Sequence, residues 1–349
     1  MTLLSSSDEN PTEQSKTDSS SSSELDHIYS IVQDELIEMN QFIPRQLSSD
    51  VELVEEIGRY IITAGGKRFR PLLVLLTTGM LTNRSPGSIK LATVIEFLHT
   101  ATLLHDDVVD HSALRRGRMT VNEKWGNPPS VLVGDFLYSR AFQLMVDIGS
   151  IEVMRILSNA TNLIAEGEVM QLANLGNLSL SVESYRQIIN CKTALLFEAA
   201  AHSAAALAKT KNHSITDQTI KSIKSYGHHF GMAYQLIDDL LDYTGDQRVM
   251  GKNAGDDLSE GKLTLPIILA LATTKKQEKH TLLAALEEKS KNNFESVSII
   301  IASCGALEKT KEAALREINL ASEALAGLPE NEYRTALETL TSYSAERIY

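Results

Sequence analysis

The sequence is short of cysteine, proline and glycine, and each shortage removes a class of protein. Two cysteines, Cys191 and Cys304, in 349 residues give no disulfide framework and no metal-knuckle spacing, which fits a reducing compartment and a cytoplasmic protein. Eight prolines and 19 glycines suit long helices better than a turn-rich β architecture. No apolar run approaches the roughly 20 residues of a membrane span, so stable membrane insertion is not expected. Basic residues are outnumbered, 33 Lys and Arg against 45 Asp and Glu, for a net charge of -12. That balance excludes generic nucleic-acid binding, which needs a cationic surface. Anionic small molecules stay open, because a few clustered basic residues act locally against an acidic background.

What is present is an ordinary globular composition, 43% hydrophobic and 22% charged, long enough to bury a large core. Residues 1–24 read as a disordered tail, with Ser5–Ser7 and the run Ser19–Ser23 and almost no apolar residue after Leu4. The tail has neither the apolar stretch of a secretory signal nor the Arg-rich, acid-poor character of a transit peptide. From Leu25 onward apolar residues recur at helical spacing: Leu25, Ile28, Val32, Leu36 and Met39, then Val54, Ile57 and Ile61 after a cap expected at Asp50. Residues 89–110 are apolar nearly all round and mark a central helix. Further helical patterns cover about 130–147, 150–173, 182–208 and 217–243, and Pro266 opens another. Two linkers, 111–129 and 244–264, each follow an aspartate cluster. The expectation for 25–349 is one large all-α domain.

The first cluster is Asp106-Asp107-Val108-Val109-Asp110 and the second Asp238-Asp239-Leu240-Leu241-Asp242, each ending an apolar helix. Residues four apart share a helix face, so Asp106 with Asp110, and Asp238 with Asp242, present paired carboxylates. Such pairs repel and resist desolvation unless cations sit between them. Oxygen-only ligands in this arrangement suit Mg²⁺, which bridges carboxylates to substrate phosphates. A single cluster would read equally well as a solvated helix end; the repetition argues otherwise.

Cationic residues gather near the same elements: Lys67, Arg68 and Arg70 in a loop after Gly65-Gly66, Arg115-Arg116 after the first cluster, Lys192-Thr193, and Lys252 and Lys262 after the second. Arginine forks suit phosphate oxygens and lysine supplies a point charge. Gly66-Lys67 is not a nucleotide loop, since the upstream glycine is missing and Arg68 replaces Ser or Thr. His99 lies two turns before Asp106; alone it reads as a core histidine. No spacing among His99, His105 and His111 builds a zinc site.

On these motifs the chain resembles the trans-isoprenyl (polyprenyl) diphosphate synthases over everything after the tail. The carrying stretches are Gly-Gly-Lys-Arg-Phe-Arg-Pro (65–71), Leu-Leu-His-Asp-Asp-Val-Val-Asp (103–110), Leu-Arg-Arg-Gly (114–117) and Val-Gly-Asp-Phe-Leu-Tyr (133–138). Lys-Thr (192–193), Tyr-Gln-Leu-Ile-Asp-Asp-Leu-Leu-Asp (234–242) and Gly-Lys-Asn-Ala-Gly-Asp-Asp-Leu (251–258) complete them. Within the family the pattern looks most like the bacterial octaprenyl diphosphate synthases of quinone side-chain synthesis. The resemblance implies an all-helical fold around a deep central cavity, a homodimer, and condensation of isopentenyl diphosphate onto an allylic diphosphate. It assigns Asp106, Asp110 and Asp238 to magnesium, with Asp107, Asp239 and Asp242 in support. It gives Arg115, Lys192, Lys252 and Lys262 to the allylic diphosphate, and Lys67, Arg70, His99 and Arg116 to isopentenyl diphosphate. Thr193 and Gln235 would lie beside the reacting carbons. A bulky residue matching Ala101 stops chain growth in the family, so Ala101 and Thr102 imply a long product. Phe142 and Met145 fit a lower floor or ordinary core packing. A terpene cyclase needs no second diphosphate site, which Lys67, Arg70 and Arg116 argue for. A non-catalytic subunit should have lost one aspartate cluster, and a shorter-chain synthase remains the nearer alternative.

Overall fold

The computed structural model describes residues 14–82, 86–174, 176–244 and 254–347. The order is α1 (Gln14–Ile31), α2 (Gln33–Gln46), α3 (Glu52–Thr63), α4 (Phe69–Thr82), α5 (Pro86–Val109), a hairpin of β1 (Leu114–Arg115) and β2 (Arg118–Met119), α6 (Val121–Trp125), α7 (Asn127–Ile148) and α8 (Ile151–Ala173). Then come α9 (Val182–Ile189), a π-helical turn (Asn190–Ala194), α10 (Leu195–Lys209), α11 (Asp217–Thr244), α12 (Asp256–Glu260) and α13 (Leu265–Thr273). The chain closes with α14 (Lys276–Glu288), a 3₁₀ turn, α15 (Phe294–Ser303), α16 (Ala306–Leu325) and α17 (Glu332–Glu346). The fold is all-α, and the two-residue strands make one antiparallel pair, Leu114 opposite Met119.

The middle of the molecule is built by helices that are apolar on every side. Leu72 to Leu76 of α4 are all buried, as are Leu91, Ala92, Val94, Ile95, Phe97 and Leu98 of α5; a helix with no polar stripe has only the interior to occupy. α5 packs chiefly on α7, α10 on α4, α8 and α11, and α11 on α16. Two glycines let α11 come closer than side chains allow. A Cβ on Gly227 would lie 2.7 Å from the Phe197 carbonyl oxygen, and one on Gly231 2.6 Å from Ala194 Cα. These residues are four apart, and the same face continues to Gln235 and Asp239. The close approach therefore sets the functional end of α11 against the π turn.

Several boundaries differ from the sequence reading. α1 begins at Gln14, so residues 14–24 of the expected tail are helical; once Ile28 is packed, extending the helix backwards costs little compared with nucleating one. Asp50 is not the cap of α3: Val51 holds that position, and the Ser49 hydroxyl accepts from its N–H. The linker 111–129 contains the hairpin and α6, and α7 starts before Pro128, which occupies the first-turn site that needs no N–H. The pattern over 182–208 is two helices joined by the π turn.

Candidate active site

The first cluster closes α5. The Asp110 N–H donates to the Asp106 carbonyl at 2.7 Å, which keeps the helical pitch and leaves both side chains mostly covered, at 16% and 18% exposure. Asp107 turns the other way. It is fully buried, and one carboxylate oxygen accepts from Arg115 Nε at 2.8 Å and Nη2 at 2.7 Å, while the other has no partner among the described residues. The hairpin delivers Arg115 because Arg116 and Gly117 turn the chain through positive φ, 53° and 73°.

The second cluster ends α11, and two of its acids are already committed. Asp239 accepts from Gln235 Nε2 at 2.7 Å and from the Tyr185 hydroxyl. Both oxygens of Asp242 accept backbone N–H groups at the start of α12, from Asp256 and Asp257 at 3.2 Å each. Asp238 faces Arg347, whose Nη2 lies 2.9 Å away.

Two lysines meet the carboxylates of the first helix end. Lys192, on the π turn, lies 4.0 Å from Asp106 and 3.2 Å from Glu168 of α8. Lys262 lies 3.4 Å from Asp110, and its own N–H donates to the carbonyl of Asp257. A separate group of basic residues sits beside them. Arg70 places Nη1 3.4 Å from His99 Nε2 and its guanidinium 4.2 Å over Phe197, and its Nε is buried without a partner among the described residues. Lys67 reaches the Tyr343 hydroxyl at 3.2 Å. Arg116 lies against Gly66, where a Cβ would come within 2.5 Å of the guanidinium. Glu96, His99, Thr100, Asp107, Arg115 and Arg116 line a cavity of about 20 Å³; ion pairs fill the space around it. A groove of about 570 Å³ opens at the far end of α4, near Gly79 and Tyr333.

Burial and crowding of like charges set the proton affinities. Burial, with Glu168 and Asp110 adding to it against Lys192, pushes Asp106 up to about 6. Burial and the nearby Asp257 push Asp242 to about 7 and Asp239 to about 8. Burial lowers Arg70 to about 10, and burial with three neighbouring arginines holds His99 well below its ordinary value, so the imidazole is neutral. A carboxyl raised in the folded state stabilises the fold fully below about 4 and loses that contribution as pH rises through its folded value. Neutral His99 acts in the opposite sense, but below its ordinary 6.5. The melting temperature of chelator-treated protein should therefore fall between pH 6.5 and 8.5. A flat or rising curve in that window would show that Asp239 and Asp242 ionise at ordinary pH.

The sequence-derived candidates thus fall into three sets: Asp106, Asp110, Asp238, Lys192 and Lys262 around the two helix ends; Lys67, Arg70, His99, Arg115 and Arg116 beside them; Thr193 and Gln235 between, joined at 2.6 Å. Lys252 lies outside the described residues. Ala101 and Met145 are fully buried. Thr102 is half-buried, donating to the His99 carbonyl, and Phe142 packs on Tyr138. Sequence reasoning missed Glu96, Glu168, Tyr185, Asp257 and Arg347. A profile of the family described as polyprenyl synthetase matches residues 51–303. The chain belongs to the polyprenyl synthetase family. It is 42% identical over 324 residues to the octaprenyl diphosphate synthase of Escherichia coli (strain K12), covering 93% of this chain and 99% of that protein. It is 43% identical over 312 residues to the all-trans-nonaprenyl-diphosphate synthase (geranyl-diphosphate specific) of Rhodobacter capsulatus, 89% of this chain and 94% of that one. In structure it is similar to a Caulobacter crescentus polyprenyl synthase complexed with calcium and isoprenyl diphosphate, with a TM-score of 0.87, 39% identity, and coverage of 93% and 98%. This polyprenyl synthetase is a prenyltransferase, a long-chain trans-prenyl synthase. Among the described residues no helix is long and apolar enough to cross a membrane.

Proposed function

We propose that this polyprenyl synthetase makes octaprenyl diphosphate for a quinone side chain, adding isopentenyl diphosphate to an allylic primer such as farnesyl diphosphate with Mg²⁺, as a cytoplasmic homodimer. The observation that carries the reading is a carboxylate-bearing helix end met by Lys192 and Lys262, whose flanking residues Thr193 and Asp257 bond to Gln235 and Asp242 of the second, with another basic group at Arg70, His99 and Arg116 beside it. Two diphosphates need two such groups. Eight units follow the E. coli relative, whose length the chain covers more fully than the nonaprenyl one.

The donor set fits Mg²⁺. Asp106, Asp110 and Asp238 offer hard oxygens, and burial, with Glu168 and Asp110 nearby, raises Asp106, an environment that a cation would relieve. Three separate carboxylates suit an ion that keeps several waters better than calcium, which takes about six to eight oxygens. When bound, Mg²⁺ offsets the charge that develops on the departing diphosphate. Lys192, Lys262 and Arg115 hold that group from the sides, and Lys252 belongs with them. Lys67, Arg70 and Arg116 hold isopentenyl diphosphate, while neutral His99 gives a hydrogen bond without adding repulsion among the arginines. The buried setting excludes water from the allylic cation. Leu132 and Val146 of α7 and Ile151 and Val169 of α8 are all more than 60% exposed, an apolar surface that supports pairing of two copies.

Mass spectrometry of products from farnesyl diphosphate, isopentenyl diphosphate and Mg²⁺ should show octaprenyl diphosphate, and no product in EDTA. The same protein should weigh twice 38.4 kDa by light scattering. A geranylgeranyl product, or none from the purified chain, overturns the reading.

A further inference from the structure

Tyr185 belongs to none of the motif stretches, yet its hydroxyl ends a hydrogen-bonded chain that reaches the centre of the site. The ring is buried on α9 among Ile189, Leu236 and Ile268, and the hydroxyl donates to Asp239. Asp239 also accepts from Gln235 Nε2 at 2.7 Å, and Gln235 Oε1 accepts from the Thr193 hydroxyl at 2.6 Å. We propose that Tyr185 is a positioning residue for the condensation, fixing the direction of the Thr193 hydroxyl through Asp239 and Gln235. The proposal rests on the reading of Thr193 and Gln235 beside the reacting carbons.

The direction of the chain follows from what each group can do. Both oxygens of Asp239 accept, one from Gln235 Nε2 and the other from the Tyr185 hydroxyl, so the Gln235 amide turns its NH₂ to Asp239 and its oxygen to Thr193. Thr193 must then donate to Gln235, and its hydroxyl lone pairs are left for the substrate side. Tyr185 donates to the other oxygen of Asp239 from the one that Gln235 holds. Without that bond the carboxylate is free to rotate, and the amide is free to flip, which reverses the donor at Thr193. α9 has another anchor besides the hydroxyl. Its neighbour Arg186 pairs with Glu317, and Glu317 takes a second bond from His229 of α11 at 2.7 Å. The helix is therefore held in place when the hydroxyl is removed.

The test is a double-mutant cycle of Tyr185→Phe and Thr193→Val, read in steady-state kinetics. Tyr185→Phe alone should lower kcat about tenfold, roughly the loss of one well-placed hydrogen bond. The KM for isopentenyl diphosphate should stay within about twofold. In the Thr193→Val background the same change should cost nothing further. Calorimetric affinity for inorganic pyrophosphate with Mg²⁺ should match the parent, because Asp238 is untouched. Multiplying effects, a change confined to KM, or a tenfold weaker pyrophosphate affinity each overturn the proposal. If Thr193→Val turns over normally, the reading of the reaction centre falls with it; if only Tyr185→Phe is normal, the relay alone falls. Asp239→Asn, which sets a donor against the Gln235 amide, serves as the test should the phenylalanine variant not fold.

Discussion

Asp106→Asn is expected to lower turnover roughly a thousandfold, the scale seen when a group that stabilises transition-state charge is removed. The metal-free protein should nevertheless be as stable as the parent, or slightly more so. Asp106 is a desolvated carboxylate facing Asp110 and Glu168, with Lys192 at 4.0 Å and a weaker contribution from Arg115 to compensate. Removing its charge relieves repulsion within the fold while removing what the metal needs. Activity and stability should thus move in opposite directions, which a general unfolding defect cannot produce. Asp238→Asn should lose turnover on the same scale but also lose melting temperature, because Arg347, only 10% exposed, keeps a buried charge without its partner. Near-parental turnover in a folded Asp106→Asn protein would remove Asp106 from the metal site.

Ala101→Tyr is expected to change the product altogether. Ala101 lies five residues before Asp106, about 7.5 Å along α5 at about 1.5 Å per residue, and is fully buried. If the growing chain passes this level, the ring occupies the space the chain requires, since close-packed interiors do not hold both. Products should then stop at about three or four isoprene units, because a close-packed interior leaves no room past the ring, with the first condensation largely kept. If Ala101 is only a packing residue, the ring overfills the core at a cost of about 1–3 kcal/mol. Reverse-phase analysis of dephosphorylated products, with a melting curve on the same sample, separates the two. A long product from a destabilised but active variant means that the channel runs elsewhere.

Apolar periodicity was enough to read the helices because the core helices are apolar almost all round; the 89–110 pattern matches α5, Pro86–Val109, to within three residues at either end. The aspartates were legible because like charges four residues apart at the end of an apolar helix need an explanation. Arg347 was not: its partner Asp238 is 109 residues away, and near the end of an amphipathic helix an arginine looks like surface. Glu168 and Tyr185 were hidden for the same reason, each meaningful only once α8 and α9 are placed beside the π turn. One signal was available. Gly227, Gly231, Gln235 and Asp239 repeat every four residues, a small-residue face running into a polar one, which marks a helix pressed against another backbone.

The π turn at Asn190–Ala194 has a consequence for how such chains are aligned and recombined. It inserts one residue between α9 and α10, with Cys191 set against Gly167 of α8. Deleting that residue would restore a regular helix and swing α9 by about 100° relative to α10. Tyr185 would leave Asp239 although no side chain had been replaced. The spacing from 185 to 193 therefore matters as a length, not only as a set of residue types. Chimaeras that exchange this segment should keep the count even where they change the letters.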